Sequence, residues 1–279
     1  MITVRTIEEY KKLLGELERP IGLVPTMGSL HEGHLSLVKA AKASNHIVVV
    51  SVFVNPTQFS PDEDYERYPR DIERDSALLE KEGVDILFAP NAAEMYAPGY
   101  DTWVEVGTIT ERLEGAARPG HFRGVATIVL KLFNIIAPQT AYFGQKDAQQ
   151  ALVIKKMVRD LNLDINIVTI PIVRSFDGLA LSSRNKYLSP EQKTAALAIS
   201  ASLKLAEKLH ADGVRDAGII KERMKKLLND ASLTIDYISI AAPDTLKELE
   251  TISQGALVSL AAYIGSTRLI DNTLLSCTL

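Results

Sequence analysis

Short apolar runs rich in β-branched residues alternate with stretches of helical period from residue 22 to residue 173, and this alternation confines the first part of the chain to a parallel sheet joined by helical crossovers. Strands are expected over residues 22–27, 47–54, 84–88, 140–143 and 165–173. Between them, Leu35, Leu37, Val38 and Ala41 recur at helical spacing, residues 71–82 read as an amphipathic helix, and residues 125–136 as a buried helix that stops before Pro138. Residues 148–161 supply one more helix. The character changes after Arg174. Pro190 behind Ser189 suits the first turn of a long Ala/Leu/Lys helix reaching about His210. A helix over 216–229 and strands over 235–240 and 256–264 follow. The expected fold class is α/β: a doubly wound, Rossmann-like parallel sheet over residues 1–173, with a smaller α+β C-terminal domain over residues 174–279.

A chain of 279 residues, 46% of them hydrophobic, can bury two cores of this kind. With 31 Lys+Arg against 35 Asp+Glu the formal charge is −4, which disfavours nucleic acid as a partner. No apolar run approaches the roughly 20 residues of a membrane span, and MITVRTIEEYKK lacks the apolar stretch of a signal peptide. A soluble, cytoplasmic protein is expected. The single cysteine, Cys277, excludes an internal disulfide.

The segment PTMGSLHEGH, residues 25–34, places His31 and His34 where a predicted strand hands over to a predicted helix. Unpaired N–H groups and partial positive charge at a helix start favour an anion, and Gly28 and Gly33 let a bulky ligand approach the backbone. Met27, Gly28, Ser29, Leu30, His31, Glu32, Gly33 and His34 therefore form an expected ATP phosphate site. The lesser alternatives for two histidines so placed are helix caps, surface residues or zinc ligands. No third ligand stands at a familiar zinc spacing, so no metal site is assigned to the protein. Neither the GK[ST] ending of a Walker loop nor a GxGxxG is present.

HEGH after a strand resembles the HxGH signature of the nucleotidyltransferases and class I aminoacyl-tRNA synthetases. Three further segments, SVFVNPTQF (51–59), YFGQKDAQQ (142–150) and DGLALSSRNKYLS (177–189), follow in an order and at separations that closely resemble the pantothenate synthetase (pantoate–β-alanine ligase) family. The similarity runs from the first strand to TRLIDN.

Read as residues, Asn55 and Gln58 carry neutral amides suited to a substrate bearing hydroxyls and a carboxylate, although Asn-Pro is also a turn signal. Lys146 is a point charge for phosphate with Asp147 beside it, or an ordinary surface pair; Ser182, Ser183 and Arg184 are phosphate donors, or a polar loop. The resemblance implies more. It places Gln58 and Gln150 on pantoate, with Asn55 in the same substrate pocket, and ATP on Gly144, Gln145, Lys146 and Asp147, on the backbone at Val173, and on Leu181, Ser182, Ser183 and Arg184. Thr57 replaces the family's more usual methionine, and Gln145 a glutamate. His31, Asn55 and Gly144 each follow a predicted strand, so one crevice beyond the strand ends can collect them.

The implied reaction joins pantoate to β-alanine through a pantoyl-adenylate, with ATP and Mg²⁺, in a homodimer. His34 leads catalysis, His31 shares its role, and Lys146 and Arg184 hold the charge of the leaving pyrophosphate. A nucleotidylyltransferase that keeps its nucleotide on the product, or a non-catalytic ATP sensor, are the alternatives. Tyr68, Arg70, His121 and Arg123 could line the site or merely pack. The charge-rich stretch 62–75 reads as a solvated lid or loop, and His210 as a cationic partner for a helix end.

Overall fold

The computed structural model describes residues 1–61 and 63–276; Asp62, the first residue of the charge-rich stretch, and Cys277 lie outside the described residues. The chain divides into two compact units, Met1–Gln145 with Gln149–Pro171, and Lys146–Ala148 with Ile172–Leu279.

The first unit is built on six parallel strands: β1 (Ile2–Val4), β2 (Ile21–Thr26), β3 (Ile47–Val52), β4 (Ile86–Phe88), β5 (Thr140–Gly144) and β6 (Asn166–Ile170), in the order β1-β4-β3-β2-β5-β6. Helices α1 (Ile7–Leu14), α2 (Glu32–Ser44), α3 (Ile72–Lys81), α4 (Ala92–Met95), α5 (Glu114–Ala117), α6 (His121–Ile136) and α7 (Ala148–Asp160) connect them. The order runs outward from β2 through β3 to β4 on one side and from β5 to β6 on the other, with β1 added beyond β4, so β2 and β5 mark the point where the winding reverses. Open α/β sheets bind ligands beyond the carboxyl ends of the strands at such a point. Ile21, Leu23, Val24, Val48, Val49 and Val50 are all fully buried, as central parallel strands covered on both faces require. Each such side chain stabilises the unit by about 1.5–3 kcal/mol.

The second unit carries α8 (Pro190–Ala211), α9 (Ala217–Asp230) and an antiparallel sheet β7-β8-β9, with β7 (Thr234–Ala241), β8 (Ala256–Ile264) and β9 (Thr267–Leu275). Ser189 caps α8 in a reciprocal box with Gln192, with Pro190 in its first turn. Ile199, Leu203, Ile220, Met224, Val258 and Leu260 form the core.

Several element expectations need correction. Strand β3 ends at Val52 and β6 at Ile170, earlier than expected. Helix α6 starts at His121 instead of residue 125, because Gly120 in a left-handed conformation turns the RPG segment into the helix. The stretch 62–75 is not a solvated loop throughout: Asp71 caps α3, and Asp75 is buried within it. His210 is buried too, and burial lowers its pKa, which disfavours the charged ring expected at the end of α8.

Candidate active site

The histidine loop leaves β2 and enters α2, and most of its backbone donors are engaged within the chain. Gly28 N–H donates to Thr26 Oγ1 (3.1 Å), and Ser29 and Leu30 N–H donate to the two carboxylate oxygens of Asp75 (2.8 and 2.9 Å). His31 N–H donates to His34 Nδ1 (3.4 Å), Gly33 N–H to His31 Nδ1 (3.1 Å), and the N–H groups of His34 and Leu35 to the His31 carbonyl. The two histidines are thus a reciprocal capping box, with ring centroids 4.1 Å apart. The expected unpaired amides at the helix start are thus fewer than its geometry alone suggests, because the N–H groups of His31, Gly33 and His34 already have acceptors. With both Nδ1 atoms accepting, a neutral ring at either position carries its proton on Nε2, which makes the imidazoles donors. Gly28, at φ +79°, could not be replaced freely: a Cβ there would lie 3.0 Å from Asp75 Oδ2 and from Val52. Glu32 is exposed, 3.8 Å from Lys39.

Beyond β3, residues 56–58 form a short 3₁₀ turn started by Asn55 and Pro56. Asn55 and Gln58 are both buried. Asn55 Oδ1 accepts from Tyr96 OH (2.9 Å), Thr57 Oγ1 (2.9 Å) and Thr57 N–H (3.4 Å), while its Nδ2 donates to Gln58 Oε1 (3.1 Å) and to the Gly124 carbonyl (3.2 Å). Gln58 Nε2 lies 3.0 Å from the sulfur of Met27. The turn sits directly on α6: a Cβ at Gly124 would come within 2.4 Å of the Thr57 carbonyl.

His121 and Arg118 hold the other side of this turn. His121 Nδ1 donates to the Gln58 carbonyl (2.8 Å), so its Nε2 accepts from Arg118 (3.1 Å). Burial, and then the nearby Arg118 charge, lower the His121 pKa to about 4, which keeps the ring neutral at ordinary pH. Arg118 also forks onto Glu63 at 2.6 and 2.7 Å. Tyr68 is buried with its ring edge-on to Phe59, Arg70 binds the carbonyls of Tyr65, Glu66 and Tyr68, and Arg123 lies over the Trp103 ring at 4.5 Å. Gln150 is half-buried on α7. Its neighbour Gln149 is buried, accepts from Glu114 N–H, and donates to the carbonyls of Ile109 and Arg112. Gly144 is the last residue of β5, not the first after it, and a Cβ there would meet nothing within 4 Å; Gln145 follows it, half-buried.

In the second unit, Lys146 Nζ is 3.6 Å from the exposed Asp147, and the Lys146 carbonyl accepts from Asn272 Nδ2 at 2.9 Å. Val173 and Leu181 are tied by a 3.0 Å bond from the Leu181 N–H to the Val173 carbonyl. Ser182 caps a 3₁₀ turn over Ser183–Tyr187 by accepting from the Arg184 N–H. Leu181, Ser182, Ser183 and Arg184 are all half-buried. At the base of this loop Arg174 grips the buried Asp271 with two bonds of 2.6 and 3.0 Å and also donates to the Gly178 carbonyl. Among the described residues no group of three or more His, Cys, Asp or Glu is arranged to hold a metal, and no helix is long and apolar enough to cross a membrane.

Asp75, Tyr96, Arg118, Gln149 and Asp271 were not singled out from the sequence. Only Asp75 carried a signal, an acid four residues before Leu79 on the apolar side of a helical pattern. The others are partners across the fold.

Comparison with known proteins agrees with these motifs. The pantoate-beta-alanine ligase family model matches residues 2–274. The pantothenate synthetase of Thermotoga petrophila is 56% identical over 99% of this chain and 100% of its own, and that of Moorella thermoacetica is 56% identical over 98% and 97%. A crystal structure of the Thermus thermophilus pantothenate synthetase superposes with a TM-score of 0.95 at 48% identity, covering 98% of this chain and 99% of the other. The Francisella tularensis pantoate-beta-alanine ligase, described in complex with beta-gamma ATP and beta-alanine, gives 0.83 at 37% identity over 98% and 97%. The chain belongs to the pantoate-beta-alanine ligase family.

Proposed function

We propose that this chain uses ATP to activate the carboxylate of pantoate and transfers the acyl group to the amine of β-alanine. A pantoate carboxylate oxygen attacks the α-phosphorus, the bond to the pyrophosphate oxygen breaks, and a pantoyl-adenylate remains. The β-alanine nitrogen then attacks the acyl carbon, AMP leaves, and with loss of a proton from nitrogen the product is pantothenate. No side chain forms a covalent bond, so the protein's work is positioning and charge stabilisation. The observation that carries the reading is the pair of mutually capped imidazoles beyond the carboxyl end of β2, at the reversal point of the sheet.

In this reading His34 and His31 donate to the α-phosphate as charge develops there. Met27, Gly28, Ser29, Leu30, Glu32 and Gly33 shape the nucleotide's surroundings together with Gly144, Gln145, Asp147, Val173, Leu181, Ser182 and Ser183, while Lys146 and Arg184 balance the leaving pyrophosphate. Mg²⁺ accompanies ATP as part of the substrate, held mainly by phosphate oxygens and water. Gln58 and Gln150 recognise pantoate. Asn55 supports them within the pocket. Assembly as a homodimer in the cytoplasm is part of the proposal and rests on the family resemblance.

The test is isotope exchange. Labelled pyrophosphate should enter ATP when pantoate and Mg²⁺ are present without β-alanine, and should not do so without pantoate. A Lys146→Met variant should stay folded and lose exchange, because the charge is removed while the stem's volume is kept. Exchange that needs β-alanine would reject a free-standing adenylation step, and exchange with no acid would favour nucleotidyl transfer to another acceptor.

The acid pocket makes its own prediction. Gln58→Met and Gln150→Met should each weaken pantoate binding by about 1–3 kcal/mol, since substrate polar groups lose their partners, with ATP affinity little changed. Calorimetry that finds ATP binding weakened instead would remove both glutamines from the acid pocket.

A further inference from the structure

The orientation of the Gln58 amide is decided by backbone groups, working outward through Asn55. The Thr57 N–H can only donate, so the Asn55 atom facing it is the carbonyl oxygen; the Gly124 carbonyl can only accept, so the opposite atom is the NH₂ nitrogen. That nitrogen spends its second hydrogen on Gln58, which fixes the Gln58 atom facing it as Oε1. Reversing the Gln58 amide would bring two NH₂ groups together. Tyr96 and Thr57 reinforce the arrangement, because both hydroxyls reach Asn55 Oδ1 at 2.9 Å and lie 3.2 Å from each other. Burial raises the Tyr96 pKa, so its hydroxyl keeps the proton it donates. Asn55 has then used both amide hydrogens and holds three donors on its oxygen. Gln58 is left with Nε2 directed away from Asn55, its neighbour there being a thioether, a weak acceptor.

We propose that Tyr96 and Asn55 are positioning residues that lock Gln58 as a hydrogen-bond donor, so that the pocket selects an acid presenting an acceptor oxygen at that point without either residue touching the substrate. The proposal rests on the assignment of Gln58 to pantoate made above. It also gives Thr57 a function: its hydroxyl is the second donor on Asn55 Oδ1, a contact a methionine at this position could not make.

The test is a double-mutant cycle on steady-state kinetics. Tyr96→Phe removes one donor to Asn55 Oδ1 and should raise the KM for pantoate about three- to tenfold, with the KM for ATP unchanged. Placed in a Gln58→Met background, the same substitution should have no further effect, because the amide it orients is gone. A merely structural role would act alike in both backgrounds and on both substrates; that outcome overturns the proposal. Thr57→Val, which removes the other hydroxyl from the same oxygen, enters the same cycle should Tyr96→Phe fail to fold. If the wild-type chain forms no pantothenate from ATP, pantoate and β-alanine, the functional reading fails. If it does, and Tyr96→Phe costs the same with and without Gln58, only the positioning role fails.

Discussion

A His34→Ala variant is expected to form the adenylate about 10²–10³-fold more slowly than the wild type, the typical cost of removing one preorganised donor from developing charge. The argument starts from the loop's own hydrogen bonds. Asp75, Thr26 and the two histidines have already engaged the N–H groups of Gly28, Ser29, Leu30, His31, Gly33 and His34. A phosphate arriving here is therefore met by side-chain donors, and the imidazoles are fixed by their Nδ1 bonds to offer Nε2. His34 is also the N3 member of the α2 capping box, accepting the His31 N–H, so alanine should loosen the helix start as well. His34→Asn separates the two effects. Its side-chain oxygen can keep a cap while the imidazole is lost, so stability should largely return and the rate should not. Single-turnover rates within about threefold of wild type, measured on folded protein, would take His34 out of the mechanism, as would a loss confined to ATP affinity.

The α/β rhythm was legible because burial on both faces leaves little choice of residue. The run Ile47–Val52 has no competing reading, and β2 carries the same signal. Other elements were obscured by side chains that face inward for polar reasons. Strand β9 places Asp271 and Asn272 in buried positions, where one binds Arg174 and the other the Lys146 carbonyl, so its alternation of apolar and polar residues is broken. The N-terminal pair β1 and α1 was missed for a different reason. Strand β1 is only three residues long, and α1, started by the box of Thr6 and Glu9, spans only Ile7–Leu14, so neither carries a long periodic signal.

At the candidate site, the sequence supplied the proposed site residues and not their supports. His31 and His34 stand out by spacing, and their mutual capping follows from being three residues apart at a helix start. Tyr96 and Asn55, 41 residues apart, or Arg118 and Glu63, 55 apart, meet only after the sheet is assembled. Charge density was misleading in residues 62–75, where it cannot distinguish the cap Asp71 from the buried Asp75 or from a solvated acid.

Asp75→Ala should be the most costly change to the histidine loop's stability, by about 2–4 kcal/mol. The carboxylate is 1% exposed and accepts two N–H groups, one from Ser29, a non-glycine residue at φ +50° that needs this support. Each charge-assisted bond is worth about 1.5–3 kcal/mol, and alanine leaves both donors buried without an acceptor. Working against this, burial raises the Asp75 pKa more than the Leu30 and Ser29 N–H groups lower it. A carboxyl whose folded pKa lies above its unfolded value contributes most below the unfolded pKa, and loses that contribution as pH rises through the folded one. The gap between wild type and Asp75→Ala should therefore widen as pH falls from neutral into the weakly acidic range. Asp75→Asn should lie between them, since one oxygen still accepts while the NH₂ confronts the second N–H donor; its adenylation rate should also fall, because the loop presenting His31 and His34 is shifted. Denaturant unfolding that leaves Asp75→Ala within about 0.5 kcal/mol of wild type would mean that water replaces the carboxylate and that Asp75 does not hold the loop, whereas a gap that closes as pH falls would mean that the two N–H bonds outweigh burial and that the ionised carboxylate is the form that holds it.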